Sequence, residues 1–479
     1  MSLYVKIIDE PTGRVVAPLE VLVGWDGTRW AGAPWKKILL KIHDLDRDVW
    51  LEPNEFRDDY YYFPERFSAG TDRRYEVYHP RYPKRPITVL TGGSTKYVAR
   101  SSPRQRISTG SNRIELRLTP HHLLPFSGRD RFAFGANLAW YEGQYDHDFG
   151  PNSMYSPARS AWLDPAASTY TTRVANLGTY FEHMRNQFKA WVVRVWVFEG
   201  CEGLSFGTTA ISMDPTIRTN VQCVLNLAKS KGLYVYWCLL TSGPNHPGFN
   251  KDIDIIRSAR NPASSPFFNG ALRSFCQAIQ GNDHTFAIDV MNEPEKYIRR
   301  GNVTWSDIRG YARECCRKIK AYLGASTLVS CGSAGTGWVN ASSVIDTLKQ
   351  YIGVGLDFYD YHIYNDSGEL PMSYDAMYKA LQELTPALTL DKPCIIGEFG
   401  QDRVGYLDEF QKGVVTNFMQ QAWHLGFGGC LVWNYNHRDF DYNERNDAHR
   451  HSLIYRNGSA RPVVGPMSAF AGDYGTYMP

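Results

Sequence analysis

No apolar stretch of the chain approaches the roughly 18 residues that a membrane-spanning helix needs, so no membrane partner is expected. The amino terminus, MSLYVKIIDEPTGRVV, lacks a basic segment followed by an apolar one, and no signal peptide is read there. A chain complete at residue 1 would be cytoplasmic, and one whose leader had been removed would be secreted. Charge of one sign is also missing: 52 Lys and Arg against 49 Asp and Glu leave +3. That balance lacks the basic footprint of a nucleic-acid binder. The nine cysteines, all between Cys201 and Cys430, form no Cys-x-x-Cys pair, are odd in number and interrupt apolar runs. They are expected to be reduced, buried thiols without a disulfide, including the adjacent Cys315 and Cys316 in the helical stretch SDIRGYARECCRKIKAYL. There is no His-Glu-x-x-His and no His/Asp set at ligand spacing, so neither metal nor cofactor is expected.

Aromatic residues are abundant instead, with 13 Trp and 30 Tyr. Such rings either stack on a ligand or fill cores. Up to about residue 125 the chain consists of short alternating runs, such as Lys36–Ile42 and Arg113–Leu118, separated by turn residues. Alternation marks half-buried strands, so residues 1–125 are expected to form a small all-β, sandwich-like accessory domain. Its rings, Trp25, Trp30, Trp35, Trp50 and Tyr60-Tyr61-Tyr62, would either make a carbohydrate-binding face or pack a core. Thr119–Arg131 has the composition of a linker.

From Phe132 the pattern changes to apolar strands alternating with amphipathic helical stretches. Eight strands are expected: Phe132–Asn137, Val192–Phe198, Leu233–Leu240, Phe286–Met291, Thr327–Cys331, Asp357–His362, Cys394–Glu398 and Gly429–Trp433. Eight β/α pairs imply an α/β domain over 126–479, a (β/α)₈ TIM barrel. The competing doubly wound sheet would show G-x-G-x-x-G after its first strand, where GANLAWYEG stands instead.

In such a barrel the reactive groups sit at the carboxyl-terminal ends of the strands. The fourth strand ends in Asn292-Glu293-Pro294 and the seventh in Glu398-Phe399-Gly400. Carboxyl groups on nearly opposite strands can face each other across the barrel mouth, as the acid/base and nucleophile of a retaining glycosidase must. Arg194, inside VVRVWVF, would be costly unless it pointed into a polar site, where it would keep Glu398 ionised, or made a salt bridge in the barrel interior. Asp360, His362 and Tyr364 alternate on one strand face and are candidates for hydrogen bonding to substrate and nucleophile. Trp433 closes the eighth strand and would offer a ring face beneath a sugar.

These residues together resemble clan A of the glycoside hydrolases, and within it family 5, the cellulase and mannanase group. The resemblance rests on Asn292–Pro294, Glu398, Arg194, the His362-x-Tyr364 pair, Trp433 and the Gly135-Ala136-Asn137 opening of the first strand. It implies that Glu293 is the general acid/base and Glu398 the nucleophile. It further implies that Asn292 binds the sugar 2-hydroxyl, that Tyr364 and Arg194 orient Glu398, and that Asn137 and Trp140 join the substrate site. Family members retain configuration through a covalent glycosyl-enzyme and use no catalytic metal. Arg194–Phe198 and His362–Ser367 look more like the β-mannanase branch than the cellulase branch. Two departures stand out. A strand-three His is replaced by Thr241 and Ser242, with His246 several residues later, and the usual Trp before Asn-Glu-Pro is Met291.

The expected activity is therefore retaining hydrolysis of a β-linked hexose polymer or oligosaccharide, mannan-like before glucan-like, by a monomer or weak homo-oligomer whose partner is its carbohydrate substrate. An exo-acting β-glycosidase is the rival, since the stretches Tyr141–Pro165 and Arg438–Arg450 could wall off a cleft. A non-catalytic carbohydrate-binding barrel is the second rival, which the two convergent carboxyls argue against.

Overall fold

The computed structural model of the 479-residue chain describes residues 3–19, 21–25, 30–33, 39–64, 73–92, 95–99, 106–107, 113–141, 147–154, 158–207, 209–243, 245–300, 303–334, 344–364, 390–400, 408–435, 452–455 and 458–479. It divides into two compact units: Met1–Leu123 with Gln420–Phe427, and Leu124–Met419 with Gly428–Pro479.

The first unit is sheet-rich. One five-stranded sheet runs Arg106–Ile107, Arg113–Leu118, Leu3–Asp9, Tyr60–Phe63, Glu55–Arg57, and the other Thr95–Ala99, Tyr82–Gly92, Arg73–His79, Lys41–Asp44, Val49–Leu51. Alternate residues of both sheets, among them Val5, Ile7, Ile114 and Leu116 from one and Ile42, Tyr75, Val77 and Ile87 from the other, share one buried cluster. The expected sandwich follows from that period-two pattern. Of its rings, Tyr61 is buried in this core and its hydroxyl donates to Val16 O at 2.8 Å. Trp50 is exposed and stacks on His43 with centroids 4.5 Å apart. Trp25 and Trp30 end and begin the strands of a hairpin, and Trp35 lies outside the described residues.

The second unit is a closed parallel barrel of eight strands: β1 (Ala133–Asn137), β2 (Val192–Trp196), β3 (Tyr234–Cys238), β4 (Thr285–Asn292), β5 (Leu328–Ser333), β6 (Tyr359–Ile363), β7 (Cys394–Phe399) and β8 (Gly429–Val432). Each expected strand is found, with ends shifted by a few residues. Strand β2 stops short of Phe198 because that residue adopts left-handed φ (64°) and enters a 3₁₀ turn, Glu199–Cys201. The helices Tyr170–Asn186, Pro215–Lys231, Ala271–Ile279, Trp305–Leu323 and Asp408–Leu425 follow β1, β2, β3, β4 and β7. Trp305–Leu323 begins with a reciprocal capping box between Thr304 and Asp307. It buries Ile308, Tyr311, Ala312, Cys315, Cys316 and Ile319 at three- and four-residue spacing, so this thiol pair is core. All nine cysteines are free.

The segment expected to be a linker is ordered differently. Leu124–Phe126 pairs antiparallel with Arg129–Arg131, and Phe126 packs against Trp191, Tyr234 and Phe286 at centroid distances of 5.5, 5.0 and 5.3 Å. Those rings lie within one residue of the starts of β2, β3 and β4, so the hairpin closes the amino-terminal end of the barrel. Higher up, Tyr236 meets Phe286 and Phe358. Aromatic filling below leaves the carboxyl-terminal end for polar groups. Among the described residues no helix is long and apolar enough to cross a membrane.

Candidate active site

Arg194 points into the barrel from the middle of β2 and is wholly buried. A guanidinium there must be paired, and the pairing is complete on two nitrogens. Nη1 donates to Glu398 Oε1 at 2.5 Å and to Asn137 Oδ1 at 3.0 Å; Nη2 donates to Asp289 Oδ2 at 2.7 Å and to Asn292 Oδ1 at 2.8 Å. Asn137 returns its amide to Gly397 O at 2.9 Å, beside Glu398. The other oxygen of Glu398 accepts from the Tyr364 hydroxyl at 2.7 Å. Glu398 is thus held by a cation on one side and a phenol on the other. Asp289 also accepts from the backbone of Met291 and Gly332, which locks the turn from β4 into Asn292-Glu293-Pro294.

Glu293 adopts left-handed φ (51°), a conformation that costs a non-glycine residue energy and concentrates at functional sites. Its N–H bonds Gly332 O at 2.8 Å. One carboxylate oxygen lies 3.0 Å from His362 Nδ1. One oxygen each of Glu293 and Glu398 and one nitrogen of His362 fall within 4.8 Å of one another. That donor set could ligate a cation, but Glu398 is already engaged by a guanidinium. Burial, above all, pushes the His362 pKa down to about 4, so its imidazole is neutral near pH 7. Below it, Asp360 accepts from Tyr236 Oη at 2.6 Å. Burial raises the Asp360 pKa, and the charges of Asp289 and Glu398 add to the rise while Arg194 opposes it. Strand β7 carries Gly397 because a Cβ there would overlap the Asp360 carboxylate.

The aromatic wall is Trp140, Trp196 and Trp433, with Tyr364 at its edge. Trp433 meets Trp140 edge-on and Trp196 tilted, each at 5.4 Å between centroids. Trp140 Nε1 donates to Glu199 Oε2 at 2.8 Å. Trp196 Nε1, though buried, has no partner among the described residues.

The structure therefore brings Glu293, Glu398, Arg194, Asn292, His362, Tyr364, Asn137, Trp433 and Trp140 to one end of the barrel. Asn365–Ser367 and Arg438–Arg450, and parts of Tyr141–Pro165, lie outside the described residues. His246 does not replace a strand-three imidazole: its Nδ1 accepts from Gly248 N within its own loop. Four participants escaped the sequence reading: Asp289, Tyr236, Trp196 and Glu199. Asp289 had the same signal as Arg194, a charge inside the apolar strand FAIDVM. Glu199 had the signal of the two catalytic candidates, a carboxyl just past the apolar strand VVRVWVF; Tyr236 and Trp196 had none, since a Tyr or Trp in a strand reads equally as core.

The chain matches the family described as Cellulase (glycosyl hydrolase family 5) over residues 168–439. No curated protein is similar enough to match. Among solved structures, an exo-β-1,4-mannosidase from Opitutaceae bacterium strain TAV5 is 16% identical, with a TM-score of 0.51 over 74% of this chain and 61% of its own. A broad-specificity endoglucanase from Clostridium longisporum is 13% identical, with a TM-score of 0.52 over 72% of this chain and 97% of its own. A β-1,4-mannanase from the sea hare Aplysia kurodai is 20% identical, with a TM-score of 0.46 over 64% and 89%. At these identities the likeness is one of fold.

Proposed function

We propose, for a chain that belongs to glycosyl hydrolase family 5, the cellulase family, that it hydrolyses a β-linked hexose polysaccharide or oligosaccharide with retention of configuration. The observation that carries the reading is the approach of the two carboxylates, oxygen to oxygen within 4.8 Å. Retaining pairs stand about 5–5.5 Å apart, whereas inverting pairs need roughly 6.5–9.5 Å to admit a water.

In this reading Glu398 attacks the anomeric carbon while Glu293 protonates the departing glycosidic oxygen. Glu293 then takes a proton from the water that releases the sugar from Glu398. Arg194 and Tyr364 fix the attacking carboxylate through both oxygens. Neutral His362 sits against Glu293 and gives the proton donor a partner that carries no charge of its own. Asn292, its carbonyl held by Arg194, would turn its amide to the sugar 2-hydroxyl, and the Trp433 ring would lie beneath the sugar. Mannan is preferred to glucan on the segments Arg194–Phe198 and His362–Ser367 alone.

The test is hydrolysis of β-linked manno-, gluco- and xylo-oligosaccharides by wild type and by Glu398→Ala, with product length and first-formed anomer recorded. Cleavage of a hexose oligomer, β-anomer first, reduced at least ~10⁴-fold in Glu398→Ala is expected. An α-anomer first would overturn the double displacement, and cleavage of no member would overturn the activity. Single-residue release in place of internal cuts would favour exo action.

A further inference from the structure

Beside the carboxyl end of β3 stands a cation the reaction above does not use. Lys296, in the short helix Glu295–Arg299, is only 4% exposed. No carboxylate of a described residue lies within 4.0 Å of its ammonium. Among the described residues its one hydrogen bond runs to Thr241 Oγ1 at 3.2 Å, and Thr241 Oγ1 in turn accepts from Asn292 Nδ2 at 3.5 Å. An ammonium has three N–H donors; besides Thr241 the nitrogen meets only the Tyr297 ring face, 5.4 Å to its centroid, among the described residues, so its hydrogen-bonding shell is incomplete in a place water scarcely reaches. The acid whose titration its charge also touches, Asp252, is engaged by Tyr297 Oη at 2.5 Å and Cys201 Sγ at 3.7 Å. The backbone N–H of Lys296 bonds Glu293 O at 3.3 Å, which ties the start of its helix to the end of β4. Its charge reaches His362 strongly enough to help depress that imidazole.

A buried cation without a counter-ion is costly unless a ligand completes its shell. The donors Asn292, Thr241 and Lys296 follow one another along the wall, as the hydroxyls of a pyranose follow one another around its ring. Glu398 and Asp289, both bonded to Arg194, already bring two carboxylates to the site, so a neutral hydroxyl rather than an anionic sugar is the fitting acceptor for Lys296.

We propose that Lys296, supported by Thr241, reads the sugar hydroxyl next to the one bound by Asn292, the 3-hydroxyl, in the subsite where the bond is cut. The inference rests on the hydrolase reading above. Sites built to bond a substrate hydroxyl reject analogues that lack it far more strongly than apolar pockets reject a missing methylene.

The experiment is a two-by-two comparison: wild type and Lys296→Met against a 2,4-dinitrophenyl β-hexoside and its 3-deoxy analogue, with kcat/KM measured for each. Wild type should lose about 100-fold or more on the deoxy substrate, and Lys296→Met should lose a similar factor on the full sugar. The variant on the deoxy sugar should then fall by no more than about threefold further, since the pair has already been broken. Independent, multiplicative losses would overturn the assignment, as would a variant that handles the full sugar like wild type. Should Lys296→Met fail to fold, as judged by its melting curve, Lys296→Gln goes through the same comparison. The two readings fail separately: Glu398-dependent turnover with multiplicative losses removes only the Lys296 assignment, and no wild-type turnover of any aryl hexoside or hexo-oligosaccharide removes both.

Discussion

A single guanidinium, that of Arg194, binds side chains from β1, β4 and β7 while itself standing on β2. Such a residue is legible in sequence because an apolar strand gives a charge no reason to be there except a partner. The strand-end carboxyls Glu293 and Glu398 were legible for a related reason: β-period runs terminate at them. Lys296 was not. A lysine in a helical stretch reads as a solvated surface charge, and only the fold reveals that its ammonium lies under cover. The assignment of Glu293 as proton donor makes its own prediction. Glu293→Ala should lose most activity on oligosaccharides yet retain far more on a 2,4-dinitrophenyl glycoside, whose leaving group needs little protonation. Comparing kcat/KM on the two substrates checks this, and equal losses would remove Glu293 from the role.

At the scale of elements, all eight strands could be read from composition because β-branched and aromatic runs between turn signals have few other uses. The stretch after β3 could not. The apolar spacing of SARNPASSPFFNGALRSFCQAIQG suits amphipathic helices but does not mark where they part; the chain divides into Pro266–Asn269 and Ala271–Ile279 at Gly270 (φ −108°, ψ −97°). There a Cβ would overlap Ile211 O, a backbone atom of a distant hairpin. Tertiary contact, not local spacing, sets that boundary. Two glycines give opposite expectations for one substitution. Gly310 lies inside Trp305–Leu323, where an added methyl group would meet nothing within 4 Å, so Gly310→Ala should stabilise by about 0.5–1 kcal/mol. Gly397→Ala would drive a methyl into Asp360 and should destabilise by more than about 2 kcal/mol. Urea denaturation of both variants decides, and a harmless Gly397→Ala would contradict the packing of β7 against β6.

Across the whole molecule, buried titratable groups pull stability in opposite directions with pH. Burial lowers His362 from 6.5 to about 4, so the unfolded chain binds more protons between those values. Its contribution is complete above pH 6.5 and is lost as pH falls toward 4. Burial raises Glu295 from 4.5 to about 7, although Ser333, Tyr351 and the Ala334 N–H all donate to it. Its contribution is complete below pH 4.5 and is lost as pH rises toward 7. Glu295→Gln deletes that titration while leaving His362 in both proteins. The stability of the variant relative to wild type should therefore climb with pH from 4.5 to 7, by up to about 1.4 kcal/mol per unit, and run level outside that window. A difference that does not vary with pH, measured by denaturant titration across the range, would show that Glu295 is not shifted.

The hairpin Leu124–Arg131 also precedes, in the chain, everything it covers. Because domains form as the chain emerges from its amino terminus, Phe126 leaves the ribosome before Trp191, Tyr234 and Phe286, the rings it packs against. The floor of the barrel is laid before its walls, and it waits as an uncovered aromatic turn until β4 has been made. A chain cut to begin at Ala133 would still carry every barrel strand and both carboxylates, but would leave Trp191, Tyr234 and Phe286 without the ring that covers them.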